Sequence, residues 1–371
     1  MSSQSQAVRS RRSPASRRVA LTRASSPLGS ALAGELIMAG HSVVGIDSRS
    51  AAPAGPDAAD IEWRLTELTS PQVAEALRDV DVVVHLAHGV NLVDELTEEP
   101  SARRARLIRE VQTLTVAVAA AGVGHLIVVT SAMIYGARSD NPVPLPEDTL
   151  LRSADTEGMV ADLMEVEELL ERARLVHPNV AVTAVRPAPL VGPRMDSIIT
   201  RHFEAPRLLR LKGTEPRWQF CHVQDLASAL DVVLRERLGP GVTVGAPGSL
   251  TQDEVEQISG LRPVTVAAAA AHGAAERLHR LGVLPLPATD LAYVSNPWVV
   301  DPQLLLAHGW RPAYDNRTAL LVMLEQVRGH RALMAHRLER KDAVLGAAGA
   351  ASAAVAAVAT AALLRRRRAR G

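Results

Sequence analysis

An α/β fold, with a doubly wound parallel sheet and a smaller C-terminal lobe, is predicted by three features of this 371-residue sequence. Strand-like and helix-like stretches alternate from residue 18 to residue 187. Two strand candidates, Asp81–Ala87 and His125–Ser131, are nearly unbroken apolar runs of the kind buried on both faces of a parallel sheet. The first strand candidate ends in a short polar bend followed by a helix start, the form of a nucleotide-binding loop.

Taken in order, strands are expected at Arg18–Thr22, Ser42–Asp47, Ile61–Leu65, Asp81–Ala87, His125–Ser131 and Val180–Arg186. Helices are expected at Pro27–Ala39, from Pro71 to Leu77, and at Ala102–Ala121 and Glu157–Leu175. After Pro187 the pattern loosens, with helical stretches at Val223–Arg237, Gln252–Ile258 and Ala274–Leu281. Thr251 and Glu254 have capping-box spacing at the second of these. The expected division is a basic, disordered arm at 1–17, a dinucleotide-type domain at 18–187 and a smaller substrate-type lobe at 188–335. Ligands of such sheets sit at the carboxyl ends of the strands.

Composition narrows the function classes. Apolar residues make up 47% and aromatics 2%, so the core must be Ala, Val and Leu. A net charge of +1 gives no reason to expect nucleic acid. Only Lys212 and Lys341 are lysines. The single Cys221 excludes an internal disulfide and fits a reducing cytoplasm. No apolar run precedes Val19, so the N-terminal arm is not a secretory signal. Near the other end, Ala343–Leu364 carries 22 residues without a charge and is long enough to span a bilayer. Small residues at Gly346 and Ala350 resemble a helix-packing face. The heavier basic cluster lies in the tail at 365–371, which opposes the positive-inside tendency for a cytoplasmic domain. A tail anchor, a helix on an anionic membrane surface and an Ala-rich helix in solution stay open for this segment.

Glycines serve a dinucleotide loop in three ways: a tight turn, close backbone approach to the pyrophosphate, and helix–strand packing. After Thr22 the three positions hold Arg23, Ser26 and Gly29. The packing glycine is present, and the two that serve the ligand are not. Ser26 is suited to cap a helix whose first residue is Pro27. Arg23 brings a positive charge but also a long side chain where backbone should approach. Asp47 ends the second strand where an acid meets the ribose hydroxyls, which favours NAD over NADP; Arg49 argues the other way.

In combination these segments resemble the extended short-chain dehydrogenase/reductases, the NAD-dependent epimerase/dehydratase group. The resemblance rests on VALTRASSPLGSALAGELIMAGHSVVGID, on DVVVHLAH at 81–88, on VVTSAMIYG at 128–136 and on VRPAPLVGP at 185–193. FCHVQDLASAL at 220–230 and DPQLLLAHGWRPAYDNRTAL at 301–320 complete it, in the family's order. It implies an NAD site formed by Thr22, Arg23, Ser26, Leu28, Gly29, Asp47, Leu86 and Ala87, and a sugar nucleotide as partner. It also implies a catalytic serine at Ser131 and an acid/base tyrosine with a lysine four residues later. The Glu-Glu-Leu-Leu at 167–170 sets the register and puts Met159 and Leu163 at those two positions. Tyr135, Tyr293 and Tyr314 are followed four residues on by Ser139, Pro297 and Thr318, so no Tyr-x-x-x-Lys exists.

Met and Leu cannot transfer protons, and Ser131 without a base is at most a hydrogen-bond donor. The expectation is therefore a nucleotide- or sugar-nucleotide-binding pseudoenzyme. The alternative is an active epimerase or oxidoreductase with a non-standard acid/base. Asp155, Glu157, Asp162 and Glu165 read as a solvated helical face, with one of them as a substitute base the alternative; RRARLIRE at 103–110 is a charge-rich helical face, and in this family the equivalent helix often meets a second subunit. His85 and His88 read as core or edge residues, and no metal is expected at them or at Cys221–His222. Arg207, Arg210 and Lys212 fall where the resemblance implies nucleotide phosphates, or else form a solvated basic loop.

Overall fold

A computed structural model describes residues 16–48, 60–89, 91–92, 97–153, 157–281 and 287–336. Nearly all of the N-terminal arm, the segment Ala343–Leu364, the tail at 365–371, Arg49 and Asp155 lie outside the described residues. Among the described residues no helix is long and apolar enough to cross a membrane.

The strands of the main sheet are β1 (Arg18–Thr22), β2 (Ser42–Asp47), β3 (Glu62–Leu65), β4 (Val82–Leu86), β5 (His125–Val129), β6 (Ala181–Pro187) and β7 (Gly241–Val244). Their order across the sheet is β7-β6-β5-β4-β1-β2-β3, with every neighbouring pair parallel. The helices that flank it are α1 (Pro27–Met38), α2 (Val73–Ala76), α3 (Pro100–Ala120), α4 (Gly158–Val176) and α5 (Val223–Glu236). The unbroken apolar runs have their expected cause. All five residues of β4 and all five of β5 are buried, because helices cover both faces. Val82, Val84 and Leu86 pack with α1 residues such as Leu28 and Leu32, while Val83 and Ala87 face Val111 and Leu114 of α3.

The boundary expected at 187/188 is crossed by the chain. β7 lies beyond it yet pairs with β6 through Gly241↔Ala184 to Val244↔Pro187, and α5 packs beside α1. An alternating apolar strand at a sheet edge needs a partner and a cover, and this later segment supplies both. Other residues after 187 form a parallel ladder of Leu208–Lys212 on Pro263–Ala267 and a helix at Ala268–Arg280. That helix starts six residues before the sequence pattern suggests, within an alanine run that carries no periodicity. The capping box at Thr251 and Glu254 forms as expected.

The chain winds outward from β1 to β3 and then returns to β4 on the other side of β1. The crevice between the carboxyl ends of β1 and β4 is therefore the switch point where such sheets bind ligands.

Candidate functional site

Thr22 ends β1 in a fully buried position. Its Oγ1 accepts from Leu86 N at 3.2 Å and lies 2.9 Å from His85 Nδ1, which ties β1 to β4 at the crevice. Arg23 follows at φ 51°, in the left-handed region that glycine reaches without strain. Ser26 caps α1 as expected: its Oγ accepts from Gly29 N at 3.0 Å, and Pro27 begins the helix. Leu28 is buried in the core under the sheet. A Cβ on Gly29 would stand 2.2 Å from the Arg23 carbonyl oxygen, so this position admits only glycine. Asp47 points at the same loop, and its Oδ2 accepts from Ser25 N at 3.1 Å and from the Ser25 hydroxyl.

A cleft of about 240 Å³ collects Arg23, Ser26, Asp47 and Ala87 with Met159 from the start of α4. Ser131, Leu86 and Leu163 lie outside its lining. Leu86 is fully buried, gives its N–H to Thr22 and accepts from Arg23 Nε at 2.9 Å. Ser131 starts a short helical turn, Ala132–Tyr135, and its Oγ accepts from Met133 N at 3.2 Å. Leu163 is 1% exposed and packs in the core with Val128, Ile134 and Leu170. Two tyrosines bonded to this region have partners of their own. Tyr135 Oη accepts from Arg186 Nη1 at 2.9 Å, and Tyr293 Oη donates to the Met133 carbonyl oxygen at 2.9 Å. Beneath them, Glu167 is buried in a bidentate pair with Arg186 and also accepts from Thr130 Oγ1.

The cleft's other wall was not foreseen. In the charge-rich stretch 103–110, Arg103 and Glu110 are buried, and Arg103, Arg106 and Leu107 line the cleft. Arg103 Nε donates to Asp162 at 2.8 Å, and Arg104 pairs with Glu165. Asp162 is thus buried rather than solvated; burial pushes its carboxyl up from the ordinary value, against the pull of Arg103. Glu110 accepts from Arg23 Nη2 at 2.5 Å and from Arg106 Nη1 at 3.1 and 3.3 Å. Arg106 in turn holds both oxygens of Glu98, at 2.9 and 2.6 Å. The spacing 103, 106/107, 110 places these residues on one helical face, and that periodicity was the available signal.

His85 and His88 separate. His85 is core, and burial, with Arg23 and Arg106 adding, pushes its imidazole down to about 3. His88 lines the cleft, with Nε2 3.2 Å from the Thr130 carbonyl oxygen. Arg207, Arg210 and Lys212 stay outside the cleft; Arg210 pairs with Asp253 at 2.9 Å. Cys221 is buried and free, and no group of three or more metal-ligating side chains exists among the described residues.

The fit to a dinucleotide is partial. The open end of α1, Ser25, Ser26 and Asp47 suit a nucleoside and its phosphates. The cleft, however, is smaller than the roughly 300–1,000 Å³ of sites that enclose drug-sized ligands. A Cβ on Gly89 would be in van der Waals contact with Ser26 Cβ at 3.7 Å, so the loop after β4 closes on the first loop.

Comparison with known proteins places this geometry. The chain resembles solved structures over 84–85% of its length and 99% of theirs. A UDP-galactose 4-epimerase matches at TM-score 0.60 and 19% identity, and the Thermotoga maritima UDP-glucose 4-epimerase with UDP-glucose at 0.62 and 16%. MoeE5 in complex with UDP-glucose and NAD matches at 0.60 and 23%. At these identities the likeness establishes the fold. An uncharacterized protein of Mycobacterium tuberculosis and its Mycobacterium bovis counterpart are 25% identical over 207 residues, 55% of this chain and 55% of each relative. The chain thus aligns with about half the length of these curated relatives. The sequence profile of the NAD dependent epimerase/dehydratase family matches residues 21–245, from the end of β1 to the residue after β7. With the sheet order, the switch-point cleft and this match in agreement, the chain belongs to the NAD dependent epimerase/dehydratase family.

Proposed function

We propose that this protein binds a nucleotide or sugar nucleotide and lacks the family's acid/base chemistry. The observation that carries the reading is Leu163, sealed in the core at the position where the family's lysine is expected. Met159, its partner position, faces the cleft but cannot move a proton. Asp47 favours NAD over NADP, because a 2′-phosphate would meet its carboxylate. MoeE5, a structural neighbour, is solved in complex with UDP-glucose and NAD, which supplies the ligands to try.

The test is titration calorimetry of the full chain with ADP, NAD, NADP and UDP-glucose, with assay of NAD(P)(H) released on denaturation. Binding of at least one nucleotide without conversion of UDP-glucose is expected. Conversion of UDP-glucose in the presence of NAD, or no binding of any nucleotide at millimolar concentration, overturns the proposal. One observation favours the alternative of a relocated acid/base: His88 shares the cleft with Met159. That alternative requires turnover that His88→Gln abolishes. Membrane contact through 343–371 and self-association along α3 extend the proposal. An unchanged soluble distribution after deletion of 343–371, and a monomer by light scattering, remove these extensions.

A further inference from the structure

Resting on the nucleotide-binding reading, we infer that the Arg23–Glu110 pair is an anion-exchange latch, in which a nucleotide's diphosphate replaces Glu110 on the Arg23 guanidinium. Four observations carry it. Arg23 stands at φ 51°, where a bulky residue is strained and glycine would not be. Strain of this kind is held in place by its surroundings and clusters at ligand-binding loops. The Arg23 side chain is 24% exposed and lines the cleft beside Ser25 and Ser26, whereas Glu110 is 8% exposed beneath it. The guanidinium therefore sits between a buried carboxylate and the open site.

The third observation concerns the cost of exchange. Removing one partner from a buried ion pair usually strands a charge, and that forbids the change. Glu110 avoids it, since Arg106 Nη1 reaches both its oxygens at 3.1 and 3.3 Å. Arg106 is itself fixed by Glu98, so it remains in place when Arg23 leaves. Fourth, Arg23 Nε is anchored on the Leu86 carbonyl oxygen at 2.9 Å. Only the Nη end must change partner, and a guanidinium fork matches phosphate oxygens as well as it matches a carboxylate. The latch thus replaces, with one side chain, the phosphate-facing backbone that glycines at 23 and 26 would provide.

The test is calorimetry with inorganic pyrophosphate, ADP and NAD, with adenosine as the control lacking a diphosphate. Glu110→Gln frees Arg23 and is expected to tighten pyrophosphate and ADP binding about tenfold, with adenosine unchanged. Arg23→Gly is expected to weaken both about tenfold, and the double variant to behave like Arg23→Gly. Because Glu110 is buried and its variant can fail to fold, Glu98→Gln serves as a second route. It leaves Arg106 to Glu110 alone, eases the release of Arg23 and tightens pyrophosphate about threefold. Tighter binding in Arg23→Gly shows that the arginine only obstructs the loop, and overturns the latch. Affinities indifferent to all three substitutions, or no binding by any form, overturn it too. Conversion of UDP-glucose by the unaltered protein sinks the binding-only role instead, and the affinity shifts still decide the latch.

Discussion

On the reading proposed above, position 23 lies on the phosphate side of the cleft and position 163 beside its acid/base end, and the two differ in what surrounds them. Arg23 is partly exposed, ion-paired and turned toward the cleft. Leu163 is enclosed by Val128, Ile134, Val166 and Leu170 at core density. The contacts of the Arg23 side chain are polar, to the Leu86 carbonyl and to Glu110. At position 163 apolar neighbours enclose the side chain, so a charged replacement there would be buried among apolar groups. Arg23 fronts an open cleft, and Leu163 is part of the core.

Each side rests on a buried group of its own, and each can be broken through it. Acid attacks the phosphate side, where His85 supports Thr22 beneath the loop. Its imidazole is pushed down to about 3 by burial first, and burial likewise pushes His125 and His202 down to about 4. In the unfolded chain all three return to about 6.5 and take up protons first as pH falls. The stability they permit is whole above pH 6.5 and is lost between 6.5 and their folded values. At pH 5 the expected loss is about 2 kcal/mol for each histidine. Urea denaturation at pH 7 and pH 5 reads it, and equal midpoints would refute it.

On the other side, Leu163→Lys, alone or with Met159→Tyr, puts an ammonium among apolar side chains. A loss of about 4 kcal/mol is expected, with no conversion of UDP-glucose. A loss under about 1 kcal/mol would show that position 163 opens to the cleft and that the two sides are alike after all. The mildest break is Ser26→Ala, which removes the cap on α1 and costs about 1 kcal/mol by thermal or urea unfolding. No change would mean that another group takes the Gly29 amide.

Much of this was legible in the residues. Apolar runs gave β4 and β5, Ser26–Pro27 gave the start of α1, and the single glycine at 29 marked the tight helix–loop contact. Arg23, Ser26, Asp47, Ala87 and Met159 do meet in one cleft. The α3 wall was not legible, because a helix with charges on one face gives no sign of which way that face turns. Here Arg103 turns inward because Asp162 waits for it on α4, a partner 59 residues away. His88 was missed for a related reason: alternation along a strand says nothing about the loop after it, where the residue re-enters the cleft. β7 was not legible as part of the main sheet, because its pairing with β6 is non-local and no local pattern at 187 announces it.

That last strand has a practical consequence for how the protein can be divided. A fragment ending at Pro187 would leave β6 with a bare row of backbone donors and acceptors along its outer edge. Buried side chains such as Val182, Ala184 and Val185 would flank that edge, which makes it a template for joining other chains. The shortest piece that closes its own sheet must run past Val244, and cutting before it should yield aggregates rather than a smaller soluble domain.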